Sequence, residues 1–532
     1  MPPPPRWPIA VRAAISTAVP VVVGWSVGDV GAGLIATIGA FTSRYGIGRP
    51  YLNRGAQLAV VDVTLATAVA LGAWAASITW VGVLVVSGVA IIAVWLCNAL
   101  SVGPPGAYVF VVACAAGIGV SASHLSPLQV GLLVAAGGAV AWAVQMVGAL
   151  TDFRRPERQA VSTAADAVAE YIEKVGTADQ DPARHRAATA LHNAWSTLIN
   201  YQLFDGPAGR TLYRLRAANH AVHTLFADAM AAASDDSAPA QGSADLARRL
   251  GSLRAAPELV AVRDTDRLPL GRPPVSNLLR RAVEPRSQTR RVMLRVAIGV
   301  PLAGAAAATL GVDRAYWAMA AAVLVLHQGT DLVHTVRRGV ERLLGPWIGL
   351  GLSAVILVMH PDGLLLAVVL ALLQFAIEML VTRNYTLATV FITATALTIA
   401  SGTRHPDIGE LLLSRGVDTL IGCTVGLAVY LAMAPRQEAG RLSDAVVHTR
   451  DAIAAAAEFL SHNDATSLAA RTSRRDLQRA TLDMLDAHRD AEHGSGSQRA
   501  AARRLWPDVV ATEHTAYRTI AQFWGMERTR KT

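Results

Sequence analysis
"AVRAAISTAVPVVVGWSVG" (residues 10–28) and "MLRVAIGVPLAGAAAATLG" (residues 293–311) decide the fold. A membrane helix needs about 20 predominantly apolar residues, and both runs are of that order. Each carries an arginine near its start, a proline inside and a glycine at its end. Placing Arg12 over Arg295 brings Gly28 onto Gly311. Arg54-Gly55 then meets Arg338-Gly339 to within one position, and "YVFVVACA" from Tyr108 falls near "ATVFITAT" from Ala388. Self-similarity at a fixed spacing marks a repeated structural unit.

Outward from the first stretch, apolar runs cover residues 58–78, 81–100, 107–122 and 130–150, with a shorter run at 32–41. Outward from the second they cover 315–326, 343–359, 364–381, 387–400 and 417–434. Polar segments with helical periodicity follow each set. The expected domains are a first transmembrane bundle at 1–150, a cytosolic helical domain at 151–288, a second transmembrane bundle at 289–435 and a C-terminal cytosolic helical domain at 436–532. The fold class is therefore all-α and integral to the membrane. It consists of two tandem parallel repeats, each a six-helix transmembrane bundle followed by a cytosolic helical domain.

Composition agrees. The chain of 532 residues is 52% hydrophobic and only 16% charged, below the roughly 25% charged residues of soluble domains. Its net charge of +9 does not gather into a basic domain, which speaks against a nucleic-acid partner and for a lipid bilayer. The cations flank apolar runs instead: Arg6 and Arg12, then Arg44, Arg49 and Arg54, then Arg154, Arg155 and Arg158. The second half repeats this with Arg290, Arg291 and Arg295, then Arg337, Arg338 and Arg342, then Arg436. Positive charge stays on the cytoplasmic side. Both termini and both polar segments are thus expected in the cytoplasm of a multi-pass plasma-membrane protein. An even number of crossings makes the repeats parallel about an axis along the membrane normal, so that one chain acts as a pseudo-dimer.

The stretch "DRAYWAMAAAVLVLHQGTDLVHTVRRGVERLLGPWIGLGLSAVI" from Asp313 resembles the fusaric-acid-resistance (FUSC) and aromatic acid exporter superfamily. The carriers of that resemblance are its Tyr-Trp-Ala start, short apolar run, basic "RRGVER" and Gly-rich helix. "LLSRGVDTLIGCTVGLAV" from Leu412 is similar to that family's closing segment. The resemblance implies efflux of organic, often aromatic, acids. The layout is also similar to plant aluminium-activated malate transporters, anion channels that pair two six-helix units.

Transport of a carboxylate needs cations away from bulk water. The short runs at 32–41 and 315–326 occupy corresponding places, and paired short segments in two repeats point to a transport site. Pro20 and Pro301 lie in the helices before them and each frees a carbonyl. Arg12, Arg54, Arg295 and Arg338 are the candidate substrate-binding residues, with membrane anchoring by snorkelling as the competing role. Asp62, Glu378 and Asp418 are carboxylates inside apolar runs. A carboxyl in low dielectric can carry a proton, which makes these three the proton-coupling candidates. For Asp418 the alternative is an intrahelical pair with Arg415, three residues before it.

Other chemistries lack their residues. No Gly-rich loop is followed by Lys and Ser or Thr, so no nucleotide site is expected. His220 and His223 lack a third ligand, and the three cysteines have no metal spacing. No cofactor, no metal and no enzymatic activity is expected. The leading function is a secondary exporter of organic acids, driven by protons. The alternatives are a gated anion channel and a non-transporting membrane scaffold whose cytosolic helices bind a partner.

Overall fold
The computed structural model describes residues 6–120, 125–202, 210–235, 237–253, 274–285, 287–310, 315–328, 345, 347–403, 408–438 and 440–529. Arg338, with Arg337 and Arg342, lies outside the described residues, as do Gly311, Arg314 and Arg404. Among the described residues every regular element is helical.

The first apolar half contains α1 (Trp7–Ser26), α2 (Val30–Thr37), a 3-10 segment (Ile38–Arg44), α3 (Tyr51–Ala75), α4 (Thr79–Ala99), α5 (Tyr108–Val120) and α6 (Pro127–Met146). The polar part that follows contains α7 (Arg155–Lys174), α8 (Gln180–Trp195), α9 (Arg210–Ser234), α10 (Ser243–Gly251) and α11 (Val275–Ala282). The second apolar half contains α12 (Gln288–Thr309), α13 (Ala315–Gln328), α14 (Trp347–Val358), α15 (Gly363–Leu380), α16 (Tyr385–Thr403) and α17 (Ile408–Glu438). The chain closes with α18 (Arg441–Ser461), α19 (Leu468–His493) and α20 (Gly496–Thr529). Among the described residues seven helices are long and apolar enough to cross a membrane, and four more apolar helices are shorter. This is an all-α membrane protein.

The chain packs as two compact units. One collects Met1–Ile47, Arg54–Gly148 and Val275–Pro435; the other collects Gly48–Asn53, Ala149–Pro274 and Arg436–Thr532. In the apolar unit, packing is reciprocal between the two halves. Helix α1 lies on α15 and α12 lies on α4, while α2 meets α16 and α13 meets α5. Large apolar side chains such as Leu84, Leu132, Val358 and Leu372 stay exposed on this unit, as a surface that faces lipid requires. Small residues and valines fill its inside, among them Val69, Val86, Ala90, Cys114, Val130 and Val296.

The helix starts follow from local chemistry. Asp29 caps α2 by accepting from the Ala32 N–H at 2.8 Å. Ser126 and Gln129 form a capping box at α6, which satisfies amide groups left open in the first turn. Pro20 and Pro301 lie inside α1 and α12.

The other unit has a soluble pattern. Helix α7 buries Val161, Ala164, Ala165, Val168, Ala169 and Ile172, the three-and-four spacing of one helix face. All but Val161 join Leu191, Phe226, Leu477, Ile520 and Phe523 in one core, while Val161 packs with Leu198, Leu212 and Leu215. His223 of α9 is sealed in beside this core, its Nδ1 2.9 Å from the Asn219 carbonyl oxygen. Burial, helped by Arg474, His220 and His192, pushes its pKa down to about 3. Burial and then Arg479 and Arg475 push His192 down to about 4. Both rings are neutral in the fold, while the unfolded chain takes up protons near pH 6.5. Stability from these groups is therefore full above about pH 6.5 and declines as the pH falls toward the folded values. Hydrogen exchange on the full-length protein should show α9 protection, corrected for intrinsic rates, falling between pH 7 and pH 5. The double variant His192→Gln/His223→Gln should flatten that slope.

Candidate functional site
The site begins where the second apolar run breaks. Helix α2 ends at Thr37 and the chain tightens into the 3-10 segment. Glycines let this segment touch α6 backbone to backbone. A Cβ on Gly39 would overlap the Val134 carbonyl, and one on Gly138 would overlap the Asp62 carboxylate. Asp62 of α3 is 9% exposed and fits against α6 only because Gly138 has no side chain.

Arg44 ends the segment and points inward. Its Nε lies 3.1 Å from Glu378 Oε1, and the two side chains are 13% and 6% exposed. Gln374, one turn before Glu378 on α15, donates to the same oxygen at 3.4 Å. Arg54, 7% exposed, donates from Nη2 to Gln145 Oε1 of α6 at 2.5 Å. Tyr45 donates its hydroxyl to the Gly106 carbonyl at 2.7 Å, and a Cβ on Gly106 would lie 2.9 Å from His327 Nε2. Gln57 donates to the Val102 carbonyl at 3.2 Å.

This cluster is not self-sufficient. Thr42 Oγ1, Ser43 Oγ, Arg44 Nη2, Gln57 Oε1, Asp62 Oδ1 and Gln145 Nε2 are buried without a hydrogen-bond partner among the described residues. An unmet buried polar group costs about 1–3 kcal/mol. Six of them around two guanidinium groups describe a surface that needs water or a polar solute against it. Arginine suits an oxyanion, because its planar fork can donate twice to one carboxylate.

The candidate residues fall into different settings. Arg54, Asp62 and Glu378 belong to this cluster. Arg12 is half-buried and donates to the Pro8 carbonyl of its own helix at 3.2 Å, as a headgroup anchor can. Arg295 is 2% exposed, with its guanidinium carbon 4.8 Å from the Tyr430 ring centroid. Asp418 is fully buried in α17, and the guanidinium of its neighbour Arg415 stacks on Trp317 at 3.4 Å. Sequence reasoning counted Arg44 only among the cytoplasmic cations. Its position at the end of the short run was the signal that could have singled it out.

Residues 302–429 match the fusaric acid resistance protein-like family. The matched stretch takes in α13 to α16, the end of α12 and most of α17, and it includes Glu378 and Gln374 of the cluster. The chain is also similar to the uncharacterized membrane protein YvaC of Bacillus subtilis (strain 168). The two are 26% identical over 545 residues, which covers 96% of this chain and 84% of that one. No solved structure matches the chain.

Removing one partner of a buried ion pair typically costs about 3–5 kcal/mol, because the other charge is left uncompensated. Arg44→Gln and Glu378→Gln should each lower the melting temperature of the apolar unit in detergent. The double variant should recover most of the loss, read by differential scanning fluorimetry of the intrinsic tryptophan emission.

Proposed function
We propose that this protein is a secondary transporter that exports organic acids, aromatic ones included, across the plasma membrane in exchange for protons. The observation that carries the reading is the buried, cation-bearing cluster with unmet polar atoms at the break between α2 and α3. Charge inside an apolar helical layer costs about 2.5–3.5 kcal/mol per residue on the insertion scale, so it marks a wetted path. The match of residues 302–429 to the fusaric acid resistance protein-like family supports transport as the class of function.

In this reading Arg54, and Arg338 as its counterpart, hold the carboxylate, with Arg12 and Arg295 serving the same anion along the path. Asp62, Glu378 and Asp418 carry the protons. The reciprocal packing of α1 on α15 and α12 on α4 supports two tandem copies about a shared axis. Both termini lie in the cytoplasm.

The test is uptake of radiolabelled benzoate into everted membrane vesicles, scaled to inserted protein. Energised vesicles should accumulate the acid, and a protonophore should abolish the accumulation. Arg54→Ala should lower flux about tenfold or more, the scale of a lost charged hydrogen bond. Arg54→Lys should restore only part, since lysine keeps the charge but loses the fork. The same order is expected at Arg338. Equal flux with and without energy would remove the proton coupling, and a voltage-following current indifferent to the proton gradient would make the protein a channel. Full flux in both Arg54 variants would remove the site.

A further inference from the structure
We propose that α11 (Val275–Ala282) is an interfacial helix that docks on anionic phospholipid, in the leaflet where α4 ends and α12 begins, with Arg280 and Arg290 holding lipid phosphate. It shares no residue with the cluster around Arg44. The inference rests on the chain being a membrane protein and not on what it transports.

The sequence makes α11 two-faced. Val275, Leu278, Leu279 and Ala282, with Val283 just past the end, follow the three-and-four spacing of one apolar face. Ser276, Asn277, Arg280 and Arg281 take the other. At eight residues the helix is too short to cross a bilayer, and its two faces suit a boundary between two media. Packing sets its depth. Helix α4 has 21 residues, about 30 Å of helix, the thickness of the hydrocarbon layer. Trp95 lies near the end of that span, and its indole donates to the Leu279 carbonyl at 3.2 Å. Tryptophan at that level belongs to the boundary between acyl chains and headgroups. Helix α11 also packs against α12, so it lies where one membrane helix ends and another starts.

Lipid is the partner that these surroundings fit. Ala282 is buried and Leu278 and Leu279 are half-buried, while Val275 and Val283 at the two ends stay exposed. Ile92, one turn before Trp95 on α4, is exposed, and so are Leu294 and Ile298 of α12. The apolar ends of α11 thus adjoin a surface that already faces lipid. The charge is that of an anion binder: residues 275–291 hold five arginines against one glutamate. Arg280 is exposed and Arg290 is half-buried in the first turn of α12, and neither has an ion pair among the described residues. Arginine lays its stem along apolar surface and turns its fork to phosphate. A free phosphate would meet the cations but not the exposed valines; a phospholipid meets both, since binding of this kind sums apolar burial and attraction to anionic headgroups.

The test is native mass spectrometry of the delipidated full-length protein in detergent, titrated with dioleoyl-phosphatidylglycerol and, separately, with dioleoyl-phosphatidylcholine. Phosphatidylglycerol should bind about fivefold more tightly or better. Arg280→Gln and Arg290→Gln should each weaken phosphatidylglycerol about fivefold, the scale of one arginine at an anionic surface, and together about tenfold or more. The melting temperature of the lipid-free protein should hold, because neither arginine has an ion pair to lose. Val275→Ser/Val283→Ser, with every arginine kept, should weaken phosphatidylglycerol about threefold or more. Arg503→Gln/Arg504→Gln on α20, outside the apolar unit, should match the wild type. Equal affinity for the two lipids would overturn the proposal. So would wild-type affinity in Arg280→Gln/Arg290→Gln or in the valine variant, or an equal loss in Arg503→Gln/Arg504→Gln. Full displacement of phosphatidylglycerol by millimolar inorganic phosphate would overturn it as well, since the site would then serve the free anion.

Discussion
The ion pair between Arg44 and Glu378, at 3.1 Å, is the constraint to which the apolar unit is built. Neither residue can be left alone among apolar helices, since an unpaired buried charge is far costlier than a paired one. The pair joins the end of the broken second run to α15, an element of the other half of the sequence. Everything that brings Arg44 there follows from that need. The chain must break after Thr37, tighten into the 3-10 segment and press against α6 at glycines that leave no side chain in the way. The same close approach buries Asp62 against Gly138 and sets Arg54 on Gln145. One charge pair and one glycine contact thus gather a polar cluster inside a body whose outer surface is leucine and valine.

A membrane helix hides no backbone polarity from its own hydrogen bonds, so the runs of apolar residues announce themselves. The spans at 9–27, 58–78 and 81–100 in the sequence correspond closely to α1, α3 and α4, and the short run at 32–41 does end in irregular helix. What the sequence could not convey is which face each side chain takes. Arg44 and Arg49 look alike as cytoplasmic cations. Yet Arg44 turns inward to Glu378, while Arg49 stacks on Tyr201 within the polar unit at 4.3 Å. Arg12 and Arg295 align in sequence, but one is half-buried against its own turn and the other is sealed beside Tyr430. Such differences depend on partners hundreds of residues away, and local periodicity does not encode them. Helix α11, Val275–Ala282, belongs to the apolar unit although its composition is polar; Trp95 donates to its Leu279 carbonyl at 3.2 Å.

The polar unit draws on a different force. Its core is alanine-rich, with few large side chains apart from Tyr171, Phe226, Tyr517 and Phe523. Alanine lets helices pack closely but buries little area per residue. The buried Arg184–Glu513 pair and the neutral His223 therefore sit in a core with limited hydrophobic reserve.

The central claim is that the cluster around the 3-10 segment is a wetted path and not a sealed core. Thiol accessibility tests it most directly. With Cys97, Cys114 and Cys423 replaced by alanine, single Thr42→Cys and Ser43→Cys variants are exposed in intact membranes to a charged, membrane-impermeant thiosulfonate. The account predicts that both thiols react, that an organic acid slows the reaction, and that Val134→Cys in the neighbouring helix stays inert. Lack of reaction at both Thr42→Cys and Ser43→Cys, in protein that inserts normally, would contradict it.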